Sequence, residues 1–315
     1  MSVGHESPGQ ILRRIAGIRL GRFCQDPPRP LSRLRLPAPL PIPSRPIPIL
    51  LVTPSLNQGE FIGRTIRSVL DQRYPALTYR IQDGGSTDAT HEVVRSFGSD
   101  APLLRIEPDS GQADAINRGF APVGEAEVLA WLNADDLLLP GALTHVAALF
   151  QRHPEVDVIY GDRLIVDRRD QVIGRWILPD HDATVTTWID YIPQETLFWR
   201  RRAWEAIGQK LDSTLHFAMD WDVILRMQDA GCTIRHFPRL LGAFRVHESQ
   251  KTHADYARAG RHEIRAIRKR HWRGLTVPFA HVAHLRYLYQ HRRADCLSRT
   301  QFDFRAGPSD LQGTS

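Results

Sequence analysis

Residues 47–57 read Ile-Pro-Ile-Leu-Leu-Val-Thr-Pro-Ser-Leu-Asn, and this stretch decides the fold. The run 47–52 is apolar without alternation, the pattern of a strand covered on both faces, and the polar residues from Thr53 onward end it in a loop. Phe61, Ile62, Thr65, Ile66, Val69 and Leu70 then recur at helical spacing, Tyr74-Pro75 closes that helix, and a second strand is expected at 77–82. The alternation continues with a helix at 88–97, a strand at 103–107, a helix at 112–120 and a strand at 128–132. Elements of this length in this order predict an α/β, Rossmann-like fold, a mostly parallel sheet with helices on both faces.

Further along, Pro140 opens a helix at 141–152 and a strand follows at 156–160. The pattern then changes: 164–166 and 172–176 flank Asp167-Arg168-Arg169-Asp170 as a hairpin, so the second half is mixed. Helices are expected at 202–207 and at 220–230, the latter stopped by Gly231. Residues 258–273 are dense in Arg, Lys and His with Ile264 and Ile267 as apolar anchors, which predicts a basic amphipathic helix. Upstream, proline recurs from Pro27 to Pro48 and blocks helix. The expected organisation is a poorly ordered proline-rich arm at 1–47, the main domain at 48–252, and a basic helical extension with a tail at 253–315.

The composition, 315 residues with 42% hydrophobic and 24% charged, is that of a globular chain. Cys24, Cys232 and Cys296 lie far apart, which argues against a disulfide framework or a structural zinc site and suits a reducing compartment. No apolar run approaches the roughly 20 residues that span a bilayer, and Arg13, Arg14 and Arg19 interrupt the N-terminus, so a cytoplasmic protein is expected. The net charge of +6 suits an anionic partner; the excess in 258–273 is a solvated face or a contact for anionic lipid headgroups. Nucleic acid is disfavoured because no recognition module accompanies the charge. A dinucleotide-binding oxidoreductase needs G-x-G-x-x-G after the first strand, where 53–59 offers only Gly59, and the glycine-rich phosphate loop of a nucleotidyltransferase is missing too.

In an open parallel sheet, ligands sit beyond the carboxyl ends of the strands. Three polar clusters occupy such positions: Thr53-Pro54-Ser55-Leu56-Asn57, Asp83-Gly84-Gly85-Ser86-Thr87-Asp88 and Asn133-Ala134-Asp135-Asp136. A carboxylate at Asp83 can accept the imide N–H of a uracil or thymine, or the hexapeptide is a tight turn with a helix cap. The adjacent Asp135 and Asp136 suit Mg²⁺ or Mn²⁺, which leave positions for substrate phosphates, or they cap the next helix.

These three clusters, with Asp109-Ser110-Gly111-Gln112-Ala113-Asp114-Ala115-Ile116-Asn117 between the second and third, resemble a family 2 glycosyltransferase of the GT-A fold over roughly 48–250. The resemblance implies an inverting transfer from a nucleotide diphosphate sugar, a uridine donor favoured, to a hydroxyl of a glycan or lipid-linked acceptor in polysaccharide or glycoconjugate assembly. It implies a donor site from Thr53, Pro54, Asn57, Asp83, Ser86, Gln112, Asp114, Asn117, Asn133 and Asp135. It also implies a Mn²⁺ or Mg²⁺ ion served by Asp135 and Asp136, with His247, or Arg245 beside it, reaching the metal or diphosphate from the closing segment 244–252. Gln194-Glu195-Thr196-Leu197-Phe198-Trp199 resembles the acceptor segment, with Gln194, Glu195 and Trp199 as candidates, although Phe198 and Trp199 also suit the core. Met219-Asp220-Trp221-Asp222 is similar to the family's Glu-Asp motif and makes Asp220 the catalytic base, Asp222 the second choice; side chains two apart on a helix diverge by about 200°. Two departures stand out: Asn133 replaces the first Asp of the metal motif, and Met219 replaces the Glu. They leave a competing expectation, a related domain that binds nucleotide sugar or glycan without turnover. Lacking spans and a Q-x-x-R-W pattern, the chain is expected to add one sugar per encounter, in the cytoplasm or at the inner membrane face.

Overall fold

The computed structural model describes residues 14–248, 260–272, 274 and 277–298. After a two-residue strand, β1 (Arg29–Pro30), the alternation appears as β2 (Ile49–Ser55), α1 (Ile62–Leu70), β3 (Leu77–Asp83), α2 (Thr90–Arg95), β4 (Leu103–Ile106), α3 (Gln112–Phe120) and β5 (Val128–Trp131). The second half gives β6 (Leu137–Leu138), α4 (Ala142–Arg152), β7 (Val158–Asp167), β8 (Gln171–Trp176), α5 (Ala183–Trp188), β9 (Phe198–Arg200) and α6 (Arg201–Ala206). It closes with α7 (Met219–Asp229), β10 (Ile234–Val246), α8 (Arg261–His271) and α9 (Val277–Ser298).

Among the described residues the strands form one ten-stranded sheet in the order β1-β8-β7-β9-β5-β2-β3-β4, with β10 pairing β7 and β6. β5, β2, β3 and β4 are mutually parallel. β9 runs antiparallel to both β5 and β7, and the mixed half begins there. β2 lacks alternation because both of its faces are covered. Leu50 and Val52 pack with Ala113, Ile116 and Phe120 of α3, whereas Ile49 and Leu51 pack with Ile62, Ile66 and Val69 of α1. Helix α3 lies so close that a Cβ on Gly119 would stand 2.3 Å from Val52 Cγ1. All of this holds the carboxyl ends of β2, β3 and β5 rigidly beside one another.

The arm departs from expectation. From residue 14 it is packed against the domain: Leu20 is buried, Gln25 and Asp26 donate their backbone N–H groups to Ile173 O, and β1 pairs with β8. Leu31, Leu34 and Leu36 cover the core cluster around Leu164, Val166 and Leu240, and Arg239 donates to Pro37 O and Ala38 O. Proline removes helix and N–H donors but leaves carbonyls free to accept, so an extended prolyl chain can dock by its acceptors and its leucines. The basic extension is likewise integral, since α8 packs on α5 and α7 and α9 packs on α5. Residues 1–13, the boundary at 252–253, the end of the closing segment at 249–252 and the tail from 299 lie outside the described residues.

Candidate active site

A cleft of about 420 Å³ opens at the carboxyl ends of the parallel strands. Its lining includes Pro54, Ser55, Leu56, Asp109, Gln112, Asn133, Asp135 and Asp136 from the strand-end loops, and Arg163, Asp190, Gln194, Glu195, Asp220 and Phe244 from the second half of the chain. The three polar loops do converge, but most of their polar atoms hold one another. Asp83 is fully buried: its Oδ1 accepts from Gly85 N at 3.0 Å and Ser86 N at 2.7 Å, its Oδ2 from Ser86 Oγ at 2.7 Å, and His91 Nε2 lies 2.7 Å from Oδ1. Burial raises its pKa, yet the Ser86, His91 and Ser55 hydrogen bonds outweigh it and leave the carboxyl below its ordinary value. Ser86 Oγ in turn accepts from Asn57 N, and Asn57 Oδ1 accepts from Thr87 N, which locks the first loop to the second. Asp83, Ser86 and Asn57, expected to hold the donor, therefore brace the loops behind the cleft lining. A Cβ on Gly84 would meet Asp109 Oδ2 at 2.6 Å, so the second loop and the Asp109 side chain lie in close contact at the cleft edge.

Other donor-side candidates are also structural. Thr53 points from β2 into the core, fully buried, with Oγ1 3.0 Å from Tyr79 Oη. Asn117 bonds Leu211 through both amide atoms, and Asp114 accepts from Ser110 N and Arg118 near the start of α3. Pro54, Gln112, Asn133 and Asp135 do face the cleft, with Gln112 Nε2 donating to Asn133 Oδ1 at 2.7 Å.

The paired aspartates separate by burial. Asp136 is 1% exposed; it accepts from Arg245 N at 3.0 Å and Asn133 Nδ2 at 3.2 Å. Burial and then the Asp135 charge hold its carboxyl well above the usual range. Asp136 borders the same cleft as Asp135, with each of its oxygens already engaged by one donor. Arg245 is spent as well, donating to Asp135 O and pairing with Asp170 beneath the loop. Asp135 reaches the cleft, and its Oδ2 lies 3.0 Å from His247 Nε2, with the His247 ring against Phe61 at 4.4 Å between centroids. Among the described residues no three His, Cys, Asp or Glu side chains cluster as a protein-only metal site. Asp135 and His247 still supply a carboxylate and an imidazole, a donor set that fits Mn²⁺ or Mg²⁺ when phosphate oxygens complete the shell.

From the second half of the chain Asp220, the second residue of α7, faces the cleft and accepts from Trp221 N at 2.9 Å. Burial pushes its carboxyl above the ordinary value, against the pull of the Trp221 N–H and Arg163. Asp222 turns away: fully buried, it accepts from Arg270 of α8 at 2.8 Å, with Arg226 at 3.7 Å and His271 at 3.7 Å. It is the anchor of α8 rather than an alternative base. Gln194 and Glu195 both line the cleft. Gln194 Nε2 donates to Trp131 O at 2.8 Å while its Oε1 is buried without a partner, and Glu195 holds Arg163 in a bidentate pair at 2.7 and 2.5 Å. Trp199 is a core residue, fully buried among Phe120, Trp131 and Trp204, and cannot stack on a sugar.

Three contributors carry no sequence motif. Asp190 lies in a loop without any motif and is exposed in the same cleft as Asp220. Arg163 sits inside β7, stacked 4.7 Å from the Trp176 ring and 4.6 Å from Phe244. Phe23 comes from the arm and stacks on both aromatics at 5.6 Å, completing an aromatic wall next to the carboxylates.

The chain matches the description Glycosyl transferase family 2 over residues 50–230. It is 33% identical over 131 residues to an uncharacterized glycosyltransferase of Nostoc sp., covering 40% of each chain. It is 29% identical over 194 residues to an O-antigen biosynthesis protein of Myxococcus xanthus, covering 60% of this chain and 15% of that one. A PGL/p-HBAD biosynthesis glycosyltransferase of Mycobacterium tuberculosis is 26% identical over 180 residues, 56% of this chain and 68% of its own. The chain thus spans less than half the length of the first two relatives. In fold it is similar to S. aureus TarS in complex with UDP-GlcNAc, with TM-score 0.60, 14% identity, and 84% of this chain and 78% of that one covered. A mannosyltransferase of Pyrobaculum calidifontis in complex with GDP-Man and Mn²⁺ aligns with TM-score 0.56, 16% identity, and 87% and 80% coverage. With its parallel sheet, its three strand-end loops and a match over residues 50–230, the chain belongs to glycosyl transferase family 2.

Proposed function

We propose that the cleft transfers a sugar from a nucleotide diphosphate donor, a uridine nucleotide favoured, to a hydroxyl of a glycan or lipid-linked acceptor with inversion. The observation that carries this reading is that Asp135 and His247 line the same cleft as Asp220, Asp190 and the Arg163–Glu195 pair. The donor diphosphate lies on the Asp135 side, and the acceptor enters along Asp190, Asp220 and the Phe23–Trp176–Phe244 wall. Aromatic faces beside carboxylates suit a pyranose, whose C–H face stacks while its hydroxyls hydrogen-bond.

Asp220 takes the proton of the acceptor hydroxyl; its raised pKa makes it a stronger base than an exposed carboxylate. The acceptor oxygen forms its bond to the anomeric carbon as the bond to the diphosphate oxygen breaks, and one displacement inverts the configuration. Asp190, exposed in the same cleft as Asp220, is placed to hydrogen-bond the acceptor hydroxyls. Mn²⁺ or Mg²⁺, held by Asp135 and His247, would neutralise charge on the departing diphosphate. Asn133 keeps its contact to Gln112 and offers a neutral amide to the donor.

The test is nucleoside diphosphate release from a panel of UDP- and GDP-sugars, with and without Mn²⁺, for the wild type and Asp135→Ala. Metal-stimulated release that the substitution abolishes supports the proposal; no release and no donor binding under any condition contradicts it.

A further inference from the structure

The basic helix α8, which the sequence suggested as a lipid contact, spends part of its charge in packing. Arg268 donates to Trp188 O, Arg270 pairs with Asp222, and His271 Nδ1 lies 2.7 Å from Asp229. Helix α9 is different. Its inner face is buried through Ala280, Tyr287 and His291, whereas Val282, Leu285, Tyr289 and Leu297 are 64–70% exposed. At about 100° per residue these four fall within an arc of about 120°, with Arg286 and Arg293 in the same arc and Arg292 at its edge, all three exposed. The one acidic residue of α9, Asp295, is buried and paired with Arg19 and Arg175. The outward face is therefore apolar and purely basic.

We propose that the outer face of α9 docks the protein onto an anionic bilayer surface, the apolar side chains entering the headgroup region and the arginines pairing with lipid phosphates. Charge decides between occupants. In a two-fold pair of α9 helices the same arginines would be brought together, which opposes self-association, whereas anionic headgroups neutralise them and the arginine stems lie along the apolar stripe. The placement is also productive. On the inner face Tyr287 packs at 4.4 Å between ring centroids against Tyr191, a residue of the cleft, and Asp295 holds Arg19, four residues before Phe23. The docked bilayer would lie one helix thickness, about 10 Å, behind the acceptor side of the cleft, within reach of an acceptor carried on a lipid. Binding itself does not depend on the transfer reaction, so the two proposals fail separately.

The experiment is co-flotation of the full chain with vesicles of phosphatidylcholine alone or mixed with phosphatidylglycerol. The expected result is binding to the mixed vesicles only, weakened by added salt, and reduced on the order of tenfold or more by Leu285→Glu with Tyr289→Glu or by Arg286→Glu with Arg293→Glu. Both pairs are exposed, so far-UV circular dichroism and the thermal midpoint should match the wild type. Charge reversal at the exposed Arg265 and Lys269 of α8 should leave at least half of the binding. Binding lost only through the α8 pair, equal binding to neutral vesicles, or a dimer in solution that Leu285→Glu with Tyr289→Glu dissociates would overturn the proposal.

Discussion

Glu263 of α8 caps α7: its Oε2 accepts the backbone N–H of Ala218 at 3.0 Å, two residues ahead of Asp220. The same carboxylate accepts from Phe217 N at 2.9 Å and, through Oε1, from His216 N at 2.9 Å. Helix α7 has no side-chain cap of its own, and a residue of the C-terminal extension instead satisfies the N–H of its N-cap Ala218 and of the two residues leading into it. Glu263→Ala should lower stability by about 1–3 kcal/mol in denaturant unfolding and reduce kcat more than it raises donor KM. Glu263→Gln, which retains one amide oxygen, should fall between the two. A Glu263→Ala protein with wild-type stability and kcat would show that the cap positions nothing.

The Arg163–Glu195 pair is buried in the floor of the cleft, and each of its charges depends on the other. Removing one partner strands the second in a low-dielectric site. Glu195→Gln should therefore cost about 3–5 kcal/mol in equilibrium unfolding, well above an exposed pair such as Arg168–Glu60.

Activity should fall on the acid side at a pH above the ordinary carboxylate value of about 4, because Asp220 must be ionised to act and its pKa is raised. A kcat profile whose acid limb stays at the ordinary carboxylate value would contradict Asp220 as the base.

Asp83 has the opposite sign. Its folded pKa lies below the ordinary value, so its stabilisation is present above the unfolded value and is lost as pH falls through the folded one. Between those limits Asp83→Asn should flatten the pH dependence of the thermal midpoint, while destabilising the loop at neutral pH.

Much of this architecture is legible locally. The unalternating run at 47–52 and the helical spacing from Phe61 place β2 and α1 because each depends on neighbours a few residues away. The site is legible only in outline. Asp83, Ser86 and Asn57 lie where a ligand loop belongs, but residue type cannot tell whether a polar atom is spent on its own loop, and here it is. Asp220 and Asp222 were separable by helical phase; which one faced inward depended on Arg270, 48 residues further on. Phe23 and Arg163 escaped notice because no local pattern marks an arm that docks through Ile173 or an arginine whose partner is Glu195.

The most direct test compares Asp220→Asn with Asp222→Asn in a transfer assay at saturating nucleotide sugar and Mn²⁺, with donor affinity measured alongside. Asp220→Asn is expected to bind donor normally and lose about 10²–10⁴-fold in kcat, whereas Asp222→Asn loses stability through its Arg270 contact and keeps kcat within a few-fold. An active Asp220→Asn beside a folded but inactive Asp222→Asn would contradict this expectation.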